Sequence, residues 1–218
     1  MKPSITILGA GAWGTAVATL IANNGFDVVL WCNESEVVST IEQSGINEQF
    51  LPGVVLSNKI KPTDNLQKAL KEVDIVFEVI PVAFLRSVLK KAKPFVSQGQ
   101  IWCSLSKGIE QDSFMLPLDI IQDIFGACVR LSAFGGPNSA MGLVDKQATA
   151  TVLAGKDKDV LQILSEILSS DYFKPFLSED LIGVQVGGAL KNVIALLIGI
   201  AEGSQLGVNT KAMLLTRG

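Results

Sequence analysis

Two lysines stand in sequence surroundings that could give them a chemical role. Lys107 lies just past the C-terminal end of a predicted strand, and open α/β sheets bind their ligands at that edge. Lys191 lies within an apolar stretch, and at helical spacing it shares one face with Gly183 and Gly187. A lysine in a dry place beside a second cation has a lowered pKa, so it can accept a proton from an alcohol or return one. The alternatives are a solvated Lys107 and a Lys191 that extends to the rim of its helix.

The composition narrows the chemistry that these lysines could share. The 218 residues contain no histidine, which excludes Ser-His-Asp and Cys-His nucleophiles and zinc held by histidine. The three cysteines, Cys32, Cys103 and Cys128, are far apart and form no CxxC pair. This pattern predicts neither a disulfide framework nor a metal site, and it is typical of a protein in the reducing cytoplasm.

The segment from Gly9 to Gly14 reads GAGAWG, a GxGxxG pattern that follows a predicted strand and opens a predicted helix. In a dinucleotide fold Gly9 would allow the sharp turn, Gly11 the approach of a pyrophosphate, and Gly14 close packing of helix on strand. A tight turn without a ligand is the alternative. The context favours a dinucleotide site.

The second predicted strand ends in Trp31, Cys32, Asn33 and Glu34. Dinucleotide folds place an acid here for the ribose of NAD or an arginine for the extra phosphate of NADP. Asn33 is neutral, and Glu34 could equally be a solvated loop residue. The choice between NAD and NADP therefore stays open.

A second glycine-containing turn, GGPNSA, spans residues 135–140 after another predicted strand. It offers backbone N–H groups to an anion, although by itself it indicates only a turn.

The overall balance of residues excludes several classes of protein. The chain is 48% hydrophobic and 18% charged with a net charge of −3, so it can bury a core, and neither nucleic acid nor an anionic membrane is an expected partner. The stretch from Leu181 to Ala201 has the length of a membrane span. Lys191 at its midpoint would cost about 2.5–3.5 kcal/mol in lipid, so we expect a buried helix of a soluble protein and no membrane span.

Strands and helices alternate along most of the sequence. Apolar runs predict strands at residues 5–8, 27–31, 75–80, 100–105, 128–134 and 149–153. Helical patterns occupy residues 13–24, 65–71, 83–92 and 114–125. The predicted fold class is therefore α/β, with a Rossmann-type, mostly parallel sheet covered on both faces. Only helical patterns remain past about residue 179, which predicts a dinucleotide-binding domain at 1–178 and the beginning of an all-helical domain at 179–218.

Seven segments spread over the whole chain resemble the NAD(P)-dependent sn-glycerol-3-phosphate dehydrogenase family. They read GAGAWGTA, NGFDVVLW, FLPGV, SKGIE, GGPNSA, GVQVGGALKNVIALLIGIAEG and LLTRG, and GGALKNV is the most specific part. The resemblance implies that Lys191 is the general acid and base and that Lys107 contacts both substrate and cofactor. It implies further substrate contacts at Gly136, Asn138 and Asn192. The cofactor contacts that it implies are Gly9, Gly11, Ala12, Trp13, Gly14, Asn33 and Ala140.

This resemblance implies a cytoplasmic oxidoreductase that interconverts sn-glycerol 3-phosphate and dihydroxyacetone phosphate with NAD or NADP, for glycerophospholipid synthesis. A homodimer is expected for the full-length form. Family members also continue into further helices, which complete the site.

The chain also departs from the family pattern. The family often has a basic residue at the position of Asn33, and its phosphate loop resembles SGP(S/T)FA where this chain has Asn138 and Ser139. The alternative is a truncated, catalytically inactive dinucleotide-binding homologue. An oxidoreductase of the related hydroxyacid class is a more distant possibility.

Overall fold

The computed structural model describes residues 2–217, and Met1 and Gly218, the outer limits of the two predicted domains, lie outside the described residues. Within that range the strands are β1 (Ile5–Leu8), β2 (Val28–Trp31), β3 (Ile60–Thr63), β4 (Ile75–Glu78), β5 (Ile101–Ser104), β6 (Arg130–Gly135), β7 (Thr149–Gly155) and β8 (Phe173–Ser178). The helices are α1 (Ala12–Asn23), α2 (Ser35–Ser44), α3 (Leu66–Leu70), α4 (Val82–Ala92), α5 (Pro117–Phe125), α6 (Ala140–Val144), α7 (Lys158–Leu168), α8 (Leu181–Gly203) and α9 (Val208–Arg217).

All the strands belong to one sheet with the order β3-β2-β1-β4-β5-β6-β7-β8. The first six run parallel, β7 pairs antiparallel with β6, and β8 is parallel to β7. The order reverses between β1 and β4, and the carboxyl edge of such a reversal is where open α/β sheets bind ligands. The predicted Rossmann-type, mostly parallel sheet is confirmed.

The central strands β1, β4 and β5 are buried on both sides because each face of the sheet packs against helices. Successive residues of one strand point to opposite faces, so Ile7 joins one core cluster and Leu8 the other. In β4, Phe77 and Val76 divide in the same way. This two-sided burial explains why the strands read as continuous apolar runs.

Several elements were not expected from the sequence. In α2 only Val37 and Ile41 are buried, and in β3 only Ile60, so their apolar patterns are too sparse to be recognised. The sequence interpretation also passed over α6, α7 and β8. Helix α5 begins at Pro117 instead of near Phe114, because Phe114 has a φ of 57° and terminates a turn.

Helix α8 is attached to the sheet through its first turns. A Cβ on Gly135 would lie 2.8 Å from Cγ1 of Val184 and 3.1 Å from its carbonyl oxygen, so the bare Cα of this glycine admits the helix. The Gln185 Oε1 accepts a hydrogen bond of 2.9 Å from the Leu118 N–H, which belongs to the first turn of α5. These contacts fix where α8 leaves the sheet.

The rest of α8 is largely exposed, so the prediction of a buried helix is wrong for the described residues. Only Gln185 and Ala201 are buried among its 23 residues. By length and by a mean hydropathy of 1.8 the helix could cross a membrane, although core helices of soluble proteins pass the same test. Helix α9 packs against it, with the Lys211 Nζ 2.8 Å from the Glu202 Oε2.

Candidate functional site

The turn after β1 contains three glycines, and the surroundings of these glycines differ. Gly9 has a φ of 122°, and a Cβ there would lie 2.7 Å from the Val79 carbonyl oxygen. A Cβ on Gly14 would lie 1.9 Å from the Gly9 carbonyl oxygen. At Gly11, in contrast, no atom lies within 4 Å of the Cβ position. The fold itself therefore requires Gly9 and Gly14, whereas Gly11 faces open space in which a ligand can approach the backbone.

The first turn of α1 faces the same space. No side chain caps this helix at Gly11, so the N–H groups of its first turn lack a side-chain partner. Trp13 is partly buried, its ring centroid is 5.9 Å from that of Phe134, and its buried Nε1 has no hydrogen-bond partner. An uncapped helix end beside an open glycine fits the pyrophosphate of a dinucleotide.

The end of β2 is acidic. The Gly9 N–H donates a bond of 3.1 Å to the Trp31 carbonyl oxygen, which places the residues after β2 beside the glycine turn. Asn33 is exposed, and its Nδ2 donates to Glu34 Oε1 at 3.4 Å. Burial, with the negative charges of Glu34 and Asp64, raises the pKa of the Cys32 thiol to about 12. No lysine or arginine occurs in the sequence between Trp31 and Lys59, so that segment places no positive charge at this end of the site.

Asn47 supports the glycine turn, and the sequence interpretation missed it. Its side chain is fully buried, and Nδ2 donates to the Ala10 carbonyl oxygen and to Thr15 Oγ1, each at 2.8 Å. Its Oδ1 accepts from the Phe50 N–H at 3.2 Å, which fixes the start of the FLPGV segment. Its place just before FLPGV does not indicate these contacts, because the partners lie 37 and 32 residues earlier in the sequence.

Lys107 and Lys191 come together at the carboxyl edge of β5. The Lys107 Cγ lies 3.5 Å from the position that a Cβ would occupy on Gly188 of α8, one turn before Lys191. Burial, and secondly the charge of Lys191, lower the pKa of the Lys107 ammonium. Lys191 itself is exposed, so the dry surroundings predicted for it are not found in the described chain. The structure brings together the two lysines singled out in the sequence, but the lowered pKa belongs to Lys107.

The loop that carries Lys107 is anchored at its far end. Gly108 has a φ of 131°, and a Cβ there would lie 3.0 Å from Cγ1 of Val82. The Arg86 guanidinium donates to both carboxylate oxygens of Glu110, at 2.9 and 2.8 Å, and also contacts Asp123. These bonds hold the pKa of the Glu110 carboxyl below its usual range.

The loop after β6 is bound to the neighbouring strand. The Asn138 Nδ2 donates to the Ala150 carbonyl oxygen at 3.1 Å, and a Cβ on Gly136 would lie 2.8 Å from Asn138 Oδ1. The amide of Asn138 is therefore engaged with the main chain of β7. Ala140 begins α6, which packs against α1 and so lies near the glycine turn. Asn192 follows Lys191 on α8 and is exposed.

Comparison with known proteins gives one consistent result. The model of the NAD-dependent glycerol-3-phosphate dehydrogenase N-terminus matches residues 4–161, and the model of the C-terminus of the same family matches residues 180–218. The NAD(P)+ glycerol-3-phosphate dehydrogenase of Psychrobacter cryohalolentis is 40% identical over 217 residues, and that of Syntrophobacter fumaroxidans is 37% identical over 222 residues. The crystal structure of glycerol-3-phosphate dehydrogenase from Coxiella burnetii superposes with a TM-score of 0.91 at 31% identity.

These matches cover nearly all of this chain but only part of its relatives. The chain is covered completely in both sequence alignments, and it spans 50% of the Psychrobacter protein and 65% of the Syntrophobacter protein. The structural match covers 99% of the chain and 66% of the Coxiella protein. The first family model covers β1 to β7 and the second covers α8 and α9, while residues 162–179, which include β8, lie between the two matches. The resemblance found in the sequence is confirmed, and the chain belongs to the NAD-dependent glycerol-3-phosphate dehydrogenase family.

Proposed function

We propose that this protein interconverts sn-glycerol 3-phosphate and dihydroxyacetone phosphate by hydride transfer with NAD or NADP, for glycerophospholipid synthesis in the cytoplasm. One observation carries the proposal. Lys107 contacts α8 at Gly188, one turn before Lys191, and this contact lies at the same edge of the sheet as the open Gly11. A dinucleotide site and two converging cations at one edge suit a phosphorylated substrate of a dehydrogenase.

The residues around the glycine turn are proposed to hold the dinucleotide. Gly9 and Gly14 shape the turn, and the N–H groups at Gly11, Ala12 and Trp13 face the pyrophosphate. Asn33, Lys107 and Ala140 are the further proposed cofactor contacts. The dinucleotide, when bound, supplies a hydride in one direction and takes it up in the other.

The two lysines are proposed to have different roles toward the substrate. Lys191 gives a proton to the carbonyl oxygen of dihydroxyacetone phosphate, and in the reverse direction it takes the proton of the corresponding hydroxyl group. Lys107 places a second positive charge toward the anionic substrate. The proposed neighbours of the substrate are Gly136, Asn138 and Asn192.

Residues 1–178 and 179–218 are proposed as the dinucleotide-binding domain and the start of the helical domain. In this proposal α8 packs against protein and not lipid, and the full-length form is a homodimer with no nucleic-acid partner. The contacts of Val184 and Gln185 with the sheet and α5 support packing against protein.

One observation favours a second candidate, a dinucleotide-binding homologue without catalytic activity. The Asn138 amide is bonded to the Ala150 carbonyl oxygen, where the family's phosphate loop has a different residue. Sequencing of the coding DNA beyond position 218 addresses this alternative, because an open reading frame that continues in register supplies the rest of the helical domain.

Titration of the chain with NADH, followed by ligand fluorescence, tests the cofactor site. We expect saturation, and a strong loss of affinity in Gly11→Val, whose side chain would occupy the open space. Gly207→Val is the matched control, because its Cβ also meets no atom within 4 Å but lies away from the turn. Equal binding by Gly11→Val and wild type would reject this site.

Reduction of dihydroxyacetone phosphate by the full-length protein tests the chemistry. Lys191→Ala should lower turnover by about 10²–10⁴ while NADH affinity stays within about twofold. Lys158→Ala, which removes an exposed lysine of α7, is the control. Saturable NADH binding without any turnover in the wild type would favour the second candidate.

A further inference from the structure

β4 ends on a buried acid that the proposed function does not use. Glu78 is completely buried, and in register it lies between Leu8 of β1 and Ser104 of β5. It is the last residue of β4, so it lies at the carboxyl edge of the sheet, where the strand order reverses. A buried acid at this place is costly unless its partners are matched to its charge.

The hydrogen bonds around Glu78 can be counted. Ser104 Oγ lies 2.7 Å from Oε2, while Ser106 Oγ lies 2.7 Å and the Ile80 nitrogen 2.6 Å from Oε1. Ser106 Oγ also contacts the Ile80 carbonyl oxygen. These are four contacts, but the two hydroxyl groups and the one N–H supply only three hydrogens.

A proton on the carboxyl group supplies the missing hydrogen. The single hydrogen of Ser106 cannot reach both Glu78 Oε1 and the Ile80 carbonyl oxygen, which are acceptors when the acid is ionised. If Oε1 is protonated, Glu78 donates to Ser106, and Ser106 donates to the Ile80 oxygen. Every contact then has a hydrogen, so the geometry favours the neutral acid.

The electrostatics agree with this count. Burial raises the pKa of Glu78 to about 7, although the hydrogen bonds from Ser106, Ser104 and Ile80 oppose the rise. No cation contributes to this pKa among the residues that the structure describes. The titratable neighbour is Cys103, whose thiol pKa is raised to about 12 by burial and also by the charge of Glu78.

The cluster links the two loops that form the site. Ser106 precedes Lys107, so its bond to Glu78 fixes the start of the loop that carries the lysine to Gly188. Ile80 follows Val79, whose carbonyl oxygen limits the space at Gly9. The cluster therefore adjoins both the loop that carries the lysine and the strand end that limits the glycine turn.

We propose that Glu78 is a positioning residue, which holds a proton near neutral pH and through Ser106 sets the position of Lys107. When Glu78 loses this proton to solvent, Ser106 donates to the carboxylate and the Ile80 carbonyl oxygen loses its partner. The Lys107 loop is then held by one hydrogen bond fewer. The identity of the ligands beside Lys107 rests on the proposed function, whereas the proton on Glu78 does not.

The first test measures the protonation of the Glu78 carboxyl group directly. In the chain labelled with ¹³C at glutamate carboxyl carbons, the NMR signal that disappears in Glu78→Gln belongs to Glu78. We expect this signal to titrate near pH 7, well above the ordinary value of 4.5 for a glutamate carboxyl group. A Glu78 signal that titrates near pH 4.5 would overturn the proposal. This readout needs no dinucleotide, so it stands even if the protein binds none.

The second test measures whether the protonation of Glu78 affects the surroundings of Lys107. After reductive methylation with ¹³C-formaldehyde, the Lys107 signal should show an inflection near pH 7 in the wild type, and lose it in Glu78→Gln and in Ser106→Ala. Arg86→Lys is the matched control, because it loosens the Glu110 end of the same loop and should keep the inflection. A wild-type Lys107 signal that is insensitive to the titration of Glu78 would refute the positioning role.

A binding measurement connects the cluster to the site. NADH affinity of the wild type should fall about two- to tenfold between pH 6 and 8, the range expected for one hydrogen bond. Ser106→Ala should remove this dependence. If the affinity of Ser106→Ala falls as much as that of the wild type, the cluster does not act through Ser106.

Discussion

The side-chain amide of Asn47 donates a hydrogen bond of 2.8 Å to the carbonyl oxygen of Ala10, in the middle of the glycine turn. The two residues are 37 positions apart, and the contact is completely buried. It holds the turn against the loop that precedes FLPGV, so the backbone at Gly11 has its shape before any ligand arrives. Preorganisation of this kind reduces the ordering that binding must accomplish.

Asn47→Ala should therefore weaken both folding and NADH binding. The Ala10 oxygen keeps only the bond from Thr15 Oγ1, and loss of a buried partner costs about 1–3 kcal/mol. Urea unfolding and NADH titration measure the two effects. Asn65→Ala is the control, because it removes the side-chain cap of α3 and should lower stability without changing NADH affinity. An Asn47→Ala protein with wild-type NADH affinity would show that the turn needs no such support.

The acidic end of β2 should favour NADH over NADPH. The 2′-phosphate of NADPH would approach the carboxylates of Glu34 and Asp64, and no basic residue of the following segment compensates. We expect at least about a tenfold weaker binding of NADPH, equal to about 1.4 kcal/mol. Asn33→Arg should narrow this difference, whereas Glu42→Gln on α2 should not. Equal affinities of the wild type for NADH and NADPH would show that the acidic residues at the end of β2 do not select between the two dinucleotides.

The parts of the site that sequence reasoning found are those encoded by local pattern. The glycines of the turn follow an apolar strand and open a helix, and Lys107 lies in the loop just past the end of β5, so their edge of the sheet was predictable. Asn47 and Glu78 were not, because each acts through partners tens of residues away, and a single polar residue carries no periodic signal. Both are buried polar groups whose role depends on tertiary contacts alone.

The exposure of Lys191 was mispredicted for a related reason. The apolar sequence of α8 indicates that the helix needs cover, but it does not say which residues provide it. Val184 and Gln185 of α8 contact the sheet and α5, whereas Lys191, further along the helix, is exposed. Periodicity alone therefore overestimated the burial of this residue.

Glu78 should make the stability of the protein fall as pH rises. Its carboxyl pKa is raised from 4.5 to about 7 in the folded protein, so the folded state binds the proton more tightly than the unfolded state. The resulting stabilisation is fully present below about pH 4.5 and is lost as pH rises through about 7. Each pH unit in this window corresponds to about 1.4 kcal/mol, or roughly 3 kcal/mol over the whole window.

Urea unfolding of wild type and Glu78→Gln at several pH values between 4.5 and 8 measures this effect. The free-energy difference between the two proteins should shift in favour of the variant as pH increases. Glu110 and Asp157, whose pKa values are lowered, titrate below this window and are common to both proteins. A difference that does not change with pH would mean that the folded carboxyl group titrates normally.

The exposed face of α8 should make the 218-residue chain associate. Leu196 and Ile200 are 68% and 62% exposed, and Val193 lies on the same helix. At about 25 cal/mol per Å², a few hundred Å² of apolar surface in water costs several kcal/mol, which is comparable with the stability of a domain. We expect the chain to dimerise through this helix, to bind a hydrophobic dye or to aggregate, as measured by light scattering and dye fluorescence.

Two comparisons locate the effect on α8. The double variant Leu196→Gln with Ile200→Gln should lower dye binding and association, whereas Phe114→Ser, which removes an exposed aromatic residue elsewhere, should not. A chain shortened to residues 1–178 should also associate less and bind less dye, because it keeps the whole sheet and lacks the apolar helix. A 218-residue chain that stays monomeric and binds no dye would show that the apolar face of α8 is stable in water, and the packing argument would be wrong.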